Sequence, residues 1–153
     1  MKMRINSPIY LASAPIDCWR CGKEMPAVAI IAKVSQAEGE ICTLLNIRSL
    51  PGPLRTFIQK RFPTFRLKYS KTTKSEYYAS TCPKCGVLSG DFFLHSEPGA
   101  PFFPTDKTEA ACLTVEEIPV AGPLDVEAGL HMGTASLILE HAKRKTGEQS
   151  NGR

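Results

Sequence analysis

The sequence predicts an α+β domain: a small antiparallel β core pinned by two paired-cysteine turns, a long insertion between those turns, and one or two short helices. Three observations lead there. Cys18-Trp19-Arg20-Cys21-Gly22 and Cys82-Pro83-Lys84-Cys85-Gly86 repeat the form Cys-x-x-Cys-Gly. Runs rich in β-branched or aromatic residues lie beside both turns, at residues 26–33 and 76–80, and such runs favour strands. Leu54, Phe57, Ile58 and Phe62 recur at spacings of three and four, the period of a helix with one apolar face.

Each Cys-x-x-Cys-Gly turn presents two thiolates to one point, and the glycine after the second cysteine tolerates the positive φ that such a turn requires. Two turns supply four thiolates, a closed tetrahedral set that leaves no coordination position for water or substrate. The expected ligands are Cys18, Cys21, Cys82 and Cys85, the expected ion is Zn2+, and its role is structural. Sixty residues separate Cys21 from Cys82, more than the ~15–20 usual between paired turns. The longer loop adds only about 1 kcal/mol of closure entropy, against roughly 10–16 kcal/mol for structural zinc. A redox pair is disfavoured, because Gly22 and Pro26 follow the first turn and Gly86 and Gly90 the second, where a thioredoxin-like motif would open a helix.

In chain order, residues 26–33 read as a buried strand leaving the first turn, and residues 41–45 as a second strand. Pro53 suits the first turn of the helix carrying Leu54 to Phe62, and Pro63 ends it. Residues 76–80 and 91–94 are expected to form a hairpin with Cys82 and Cys85 at its tip. Residues 98–104 form a proline-rich connection that displays Phe102 and Phe103, and residues 113–120 return as a strand. Thr134 is expected to cap a helix running to Lys145, with Leu137, Ile138, Leu139 and Ala142 on its apolar side. Residues 1–146 then make one domain, residues 41–75 its basic insertion, and residues 147–153 a flexible tail. Cys42 and Cys112, in apolar settings, are expected in the core, and His95, which could replace a thiolate, is expected at the surface or hydrogen-bonded.

The paired turns and their flanks, residues 17–23, 77–86 and 90–95, resemble the zinc-ribbon group, and are similar to small uncharacterised bacterial zinc-ribbon proteins. In that group two hairpin turns clasp a metal and a small antiparallel sheet runs away from it. The resemblance covers about a third of the chain and places the ligands at Cys18, Cys21, Cys82 and Cys85. It implies nucleic-acid binding, protein docking or an accessory role to an enzyme, without choosing among them.

The balance of 19 basic and 15 acidic residues conceals a split along the chain. Between Glu40 and Glu76 there are eight cations and no acid: Arg48, Arg55, Lys60, Arg61, Arg66, Lys68, Lys71 and Lys74. From Gly86 to Ala142 the balance reverses, with nine acids against Lys107 alone. Such polarity favours a directed partner. No apolar run reaches the ~18 residues of a membrane helix, and Asn6, Ser7 and Pro8 interrupt the N-terminal stretch too early for a signal peptide. The expected compartment is the reducing cytoplasm, where thiols stay available to metal.

The leading expectation is a non-catalytic zinc-binding module that binds nucleic acid through Arg55, Lys60, Arg61, Arg66, Lys68, Lys71 and Lys74, with interleaved aromatic residues for stacking. The alternative is a protein-interaction adaptor using the acidic half, with Phe102 and Phe103 as anchors, such as a phage or plasmid protein acting on a host complex. Asp91 and His95 are the one pair with any catalytic look, and a closed metal and a lone acid beside a histidine do not make an enzyme.

Overall fold

The computed structural model describes residues 2–145; the expected tail at 147–153 lies outside them. Strand β1 (Lys2–Asp17) forms a long antiparallel hairpin with β2 (Glu24–Val34), and a 3-10 turn (Ser35–Ala37) leads to β3 (Ile41–Ser49). Helix α1 (Gly52–Arg61), β4 (Phe65–Ser70), β5 (Ser75–Thr81) and the two-residue β6 (Leu88–Ser89) follow. Then come α2 (Asp91–His95), α3 (Lys107–Ala110), β7 (Thr114–Ile118), β8 (Leu124–His131), α4 (Ala135–His141) and β9 (Lys143–Lys145).

Strands β1, β2, β3 and β8 pair in a closed circuit, because β2 bonds both β1 and β3 while β8 bonds both β3 and β1. The result is a small barrel-like sheet, which β7 and β9 extend from the far half of β1. All its pairings are antiparallel except β7 with β9. Strands β4, β5 and β6 make a separate three-stranded sheet.

Residues 27–32 form an unbroken apolar run because this part of β2 is buried on both faces. Val28, Ile30, Ala32 and Val34 enter one core with Ile5, Ile9, Leu44, Val126, Leu54 and Ile58. Ala27, Ala29 and Ile31 enter a second core with Leu94, Phe102, Val115 and Ile138. The expected helix over Leu54 and Ile58 is α1, with proline in its first turn and both residues buried.

Several expectations are corrected. The α+β mixture holds, but there are four short α-helices among the described residues where one or two were expected. Residues 41–49 are no part of an insertion, since β3 sits between β2 and β8 in the main sheet. Residues 91–94 are helical: Leu94 and His95 turn inward while Phe92 and Phe93 face out, a pattern that alternation along a strand would not produce. The strand that completes the β5 hairpin is β6, with Thr81 opposite Leu88. Phe102, expected at the surface, is wholly buried in the second core. Cys42 is buried as expected, but Cys112 is exposed.

Helix α4 ends at His141, four residues short of the expected end. Ala142 is extended, and Lys143–Lys145 instead pairs in parallel with β7 beside Glu116. The unpaired edge of β7 thus overrides helix propensity. Thr134 begins α4 without a side-chain capping bond.

Strand β1 shifts register between Asn6 and Ile9, and the loop from β7 to β8 crosses that irregularity. Gly122 donates its N–H to Ser7 Oγ at 2.8 Å, and Ser7 Oγ donates to the Val120 carbonyl at 3.3 Å. A Cβ at position 122 would lie 3.0 Å from both the Asn6 Cα and the Ile5 carbonyl oxygen. These are backbone atoms that cannot swing aside. Gly122→Ala is therefore expected to cost about 1–3 kcal/mol, read as a lower urea midpoint with an unchanged slope; an unchanged midpoint would show that the loop simply lifts.

Candidate metal centre

The first cysteine turn joins the ends of β1 and β2, just beyond the facing pair Asp17 and Glu24. The second joins β5 to β6, just beyond Thr81 and Leu88. The two turns are built alike. Cys18 N–H donates to the Lys23 carbonyl at 2.8 Å and Gly22 N–H to the Cys18 carbonyl at 3.0 Å; Cys82 N–H donates to the Val87 carbonyl at 2.9 Å and Gly86 N–H to the Cys82 carbonyl at 3.0 Å. Gly22 and Gly86 adopt φ values of 78° and 82°, in the left-handed region where only glycine is unstrained.

These tips bring together Cys18, Cys21, Cys82 and Cys85, whose sulfurs all lie within 4.8 Å of one another. Cys18 Sγ is 3.6 Å from Cys85 Sγ, and Cys21 Sγ is 3.5 Å from Cys82 Sγ. Four sulfurs at the usual ~2.3 Å from a tetrahedral ion would stand about 3.8 Å apart, so the two close pairs would open slightly around one. Each close pair takes one sulfur from each turn, so an ion there would tie the main sheet to the three-stranded sheet.

The backbone prepares the site for negative charge. The N–H groups of Arg20 and Cys21 point at Cys18 Sγ at 3.4 and 3.5 Å, and that of Lys84 points at Cys82 Sγ at 3.4 Å. The Cys21 amide is the main influence lowering the Cys18 thiol below its ordinary value. The Cys85 amide does the same for Cys82, bringing it down to about 6. Cys85 is pushed up to about 11: the Val87 amide acts to lower it, but desolvation and the three neighbouring sulfurs outweigh that amide. A cation held among the sulfurs would take thiolates as its ligands. Met25, Ile16 and Val87 pack around the cluster, while Cys21 stays exposed. Trp19 adds a clasp that the sequence did not reveal: its indole N–H donates to the Leu88 carbonyl at 2.8 Å, joining the first turn to the strand after the second.

The seven cations expected to form one interface are dispersed. Arg55, Lys60 and Arg61 ride on α1, Arg66 and Lys68 on β4, and Lys71 and Lys74 on the turn between β4 and β5. Arg61 is turned inward: its Nε donates to Glu116 Oε1 at 2.8 Å and its guanidinium lies 3.7 Å over the Phe57 ring. Arg55 donates to the Leu50 carbonyl at 3.2 Å. Lys60, Arg66, Lys68, Lys71 and Lys74 take part in no ion pair among the described residues. Near the β4–β5 turn, Arg48, Leu67, Tyr69, Lys74, Glu76 and Glu127 surround an open groove of about 590 Å³.

Asp91 and His95 stand at the two ends of α2. Asp91 Oδ2 accepts the Asn46 N–H at 2.6 Å, anchoring α2 to β3, and burial raises its carboxyl to about 6 despite that bond. His95 is buried against Phe102 and stands apart from the sulfur cluster, and burial lowers its imidazole to about 3. No helix among the described residues is long and apolar enough to cross a membrane. Compared with family models, curated proteins and solved structures, the chain finds no match.

Proposed function

We propose that the chain is a non-catalytic, zinc-stapled module that binds single-stranded nucleic acid along the edge strand β4 and the β4–β5 turn. Zinc is the reading that best suits four closely set thiolates gathered from two hairpin tips, because soft sulfur donors and tetrahedral geometry are its common structural site. The ion would do no chemistry; it would fix the angle at which the two sheets meet.

The observation that carries the nucleic-acid reading is Tyr69, 54 % exposed on an unpaired sheet edge, in a groove shared with Arg48 and Lys74. Leu67 lies on the same side of β4 and is also exposed. An exposed ring offers a base a stacking surface worth about 1–3 kcal/mol; Lys71 and Lys74 on the adjoining turn would meet phosphates, and Arg66 and Lys68 would reach them from the other face of the same edge strand. Glu76 and Glu127 share the groove, so the attraction must come from the turn and the strand rather than from a uniformly positive cleft. Arg61 and Arg55 fall out of the interface because they already have partners inside the fold.

The test is fluorescence anisotropy with an unstructured oligonucleotide at low and moderate salt. Binding is expected to weaken with a log–log slope near −0.7 per phosphate contact. Tyr69→Ala is expected to weaken it about tenfold, and Arg66, Lys68, Lys71 and Lys74 changed together to Ser to abolish it in a folded protein. Undiminished binding by the fourfold variant would overturn this reading. Absence of any binding by the wild-type chain would favour the adaptor reading instead, with its anchors moved from Phe102, which is buried, to Phe92 and Phe93, which are exposed side by side on α2.

A further inference from the structure

Phe92 and Phe93 are 74 and 58 % exposed, side by side on α2, although phenylalanine is ordinarily among the most buried residue types. The element that carries them is firmly seated. Leu94 fixes its inward face in the second core and His95 stacks on Phe102, and the chain beyond the helix is tied back on itself. Phe102 N–H donates to the Leu94 carbonyl at 2.8 Å, Gly99 N–H to the Phe103 carbonyl at 2.9 Å and Ala100 N–H to the Glu97 carbonyl at 2.9 Å. Helix and loop together line an open groove of about 340 Å³, formed by Phe92, Phe93, Glu97, Pro98, Gly99 and Ala100. Among the described residues, Glu97 is the one charged side chain in that lining.

Two rings and a carboxylate favour a cation with a flat, delocalised charge. An aromatic face attracts a cation, and a carboxylate beside it accepts charge-assisted hydrogen bonds. The fold itself holds one complete example. The Arg61 guanidinium lies 3.7 Å over the Phe57 ring while its Nε donates to Glu116 Oε1 at 2.8 Å, so a phenylalanine and a glutamate together seat an arginine. The α2 groove offers the same two kinds of acceptor, and no arginine or lysine of the described residues lines it. The surrounding charge has the matching sign: from Gly86 to Ala142 there are nine acids against Lys107 alone, a field that draws in a basic partner and repels an acidic one. Arginine suits the groove better than lysine, because its planar fork stacks on a ring and is more weakly hydrated than an ammonium.

We propose that the α2 groove docks an arginine-bearing basic segment of a partner protein, the guanidinium stacking on the Phe92 and Phe93 pair and bonding Glu97. Pro98, Gly99 and Ala100 flank the aliphatic stem of the incoming side chain. The site uses none of the β4 residues assigned to nucleic acid, and it holds or fails separately from that assignment.

The test titrates the full-length protein with short acetylated and amidated peptides, Gly-Gly-X-Gly-X-Gly-Gly, in which X is arginine, lysine or citrulline, the neutral isostere of arginine. The ring resonances of Phe92 and Phe93 are followed by NMR. Saturable shifts of both rings are expected with the arginine peptide, several-fold weaker binding with lysine and none with citrulline. Glu97→Gln should weaken the arginine peptide by about fivefold, and Phe92→Ala combined with Phe93→Ala should abolish its binding at an unchanged thermal midpoint. If the midpoint of the double variant falls, Glu97→Gln, isosteric and exposed, carries the test by itself. Rings unmoved by the arginine peptide at roughly millimolar concentration, equal binding of the lysine or citrulline peptide, or undiminished binding by Glu97→Gln would overturn the proposal.

Discussion

Cys82→Ser is expected to lose the clasp ion and to lower the thermal midpoint by roughly 8–16 °C. Structural zinc contributes about 10–16 kcal/mol to small domains that cannot fold without it. This chain has two hydrophobic cores of its own, so only a part of that should be at stake. A third of it, about 4 kcal/mol, at ~2–4 °C per kcal/mol for a chain of this size, sets the expected range. Cys82 is the informative position because it is buried and takes one sulfur contact across the junction, to Cys21. Cys112→Ser is the matched control, exposed and remote from the cluster. Elemental analysis should find about one zinc per chain in the colourless wild-type protein and none in Cys82→Ser. A red or brown wild-type protein would mean iron in the same four sulfurs, and a Cys82→Ser variant with unchanged metal content and midpoint would end the clasp reading altogether.

Arg61→Ala should be the most damaging change at any single charged residue. The Glu116 side chain is only 7 % exposed and Arg61 25 %, and their 2.8 Å contact links α1 to β7. Removing the arginine leaves a buried carboxylate without its partner, an effect of about 3–5 kcal/mol for buried pairs. The partial exposure of Arg61 points to the lower end. Loss of the guanidinium from the face of Phe57 adds packing and cation–π terms. At about 3 kcal/mol the midpoint falls by roughly 6–12 °C. Replacing both residues with apolar ones of similar size, Arg61→Met with Glu116→Leu, should recover most of the loss, because no charge is then left stranded. A small effect for Arg61→Ala in denaturant titrations, under about 1 kcal/mol, would mean that Glu116 reaches water once its partner is gone.

Arg61 also illustrates what charge patterning along a chain can and cannot convey. The run of eight cations without an acid is real, but sequence proximity does not say which side of an element each one leaves from. On α1 the cations part company: Arg61 crosses to β7, Arg55 folds back to Leu50, and Lys60 is left exposed. The acidic half likewise supplies a structural partner, Glu116, and not merely a field.

Local chemistry determined the cysteine turns, since Cys-x-x-Cys followed by glycine dictates both the backbone turn and the direction of two sulfurs. The same holds for β2, whose apolar run leaves little choice but burial on both faces, and for α1, where Pro53 and the spacing of Leu54 and Ile58 agree. Tertiary structure decided the rest, because the deciding contacts lie far away in the chain. Strand β1 was hidden by Ser7-Pro8 and its uneven pattern, and exists because it bonds β2, β7 and β8. Lys143–Lys145 left its helix for the open edge of β7. Phe102 and Phe93 read alike in isolation, yet one fills a core and the other faces water. A side chain's fate follows from which surfaces reach it after folding, and that information is distributed over the whole chain rather than written beside the residue.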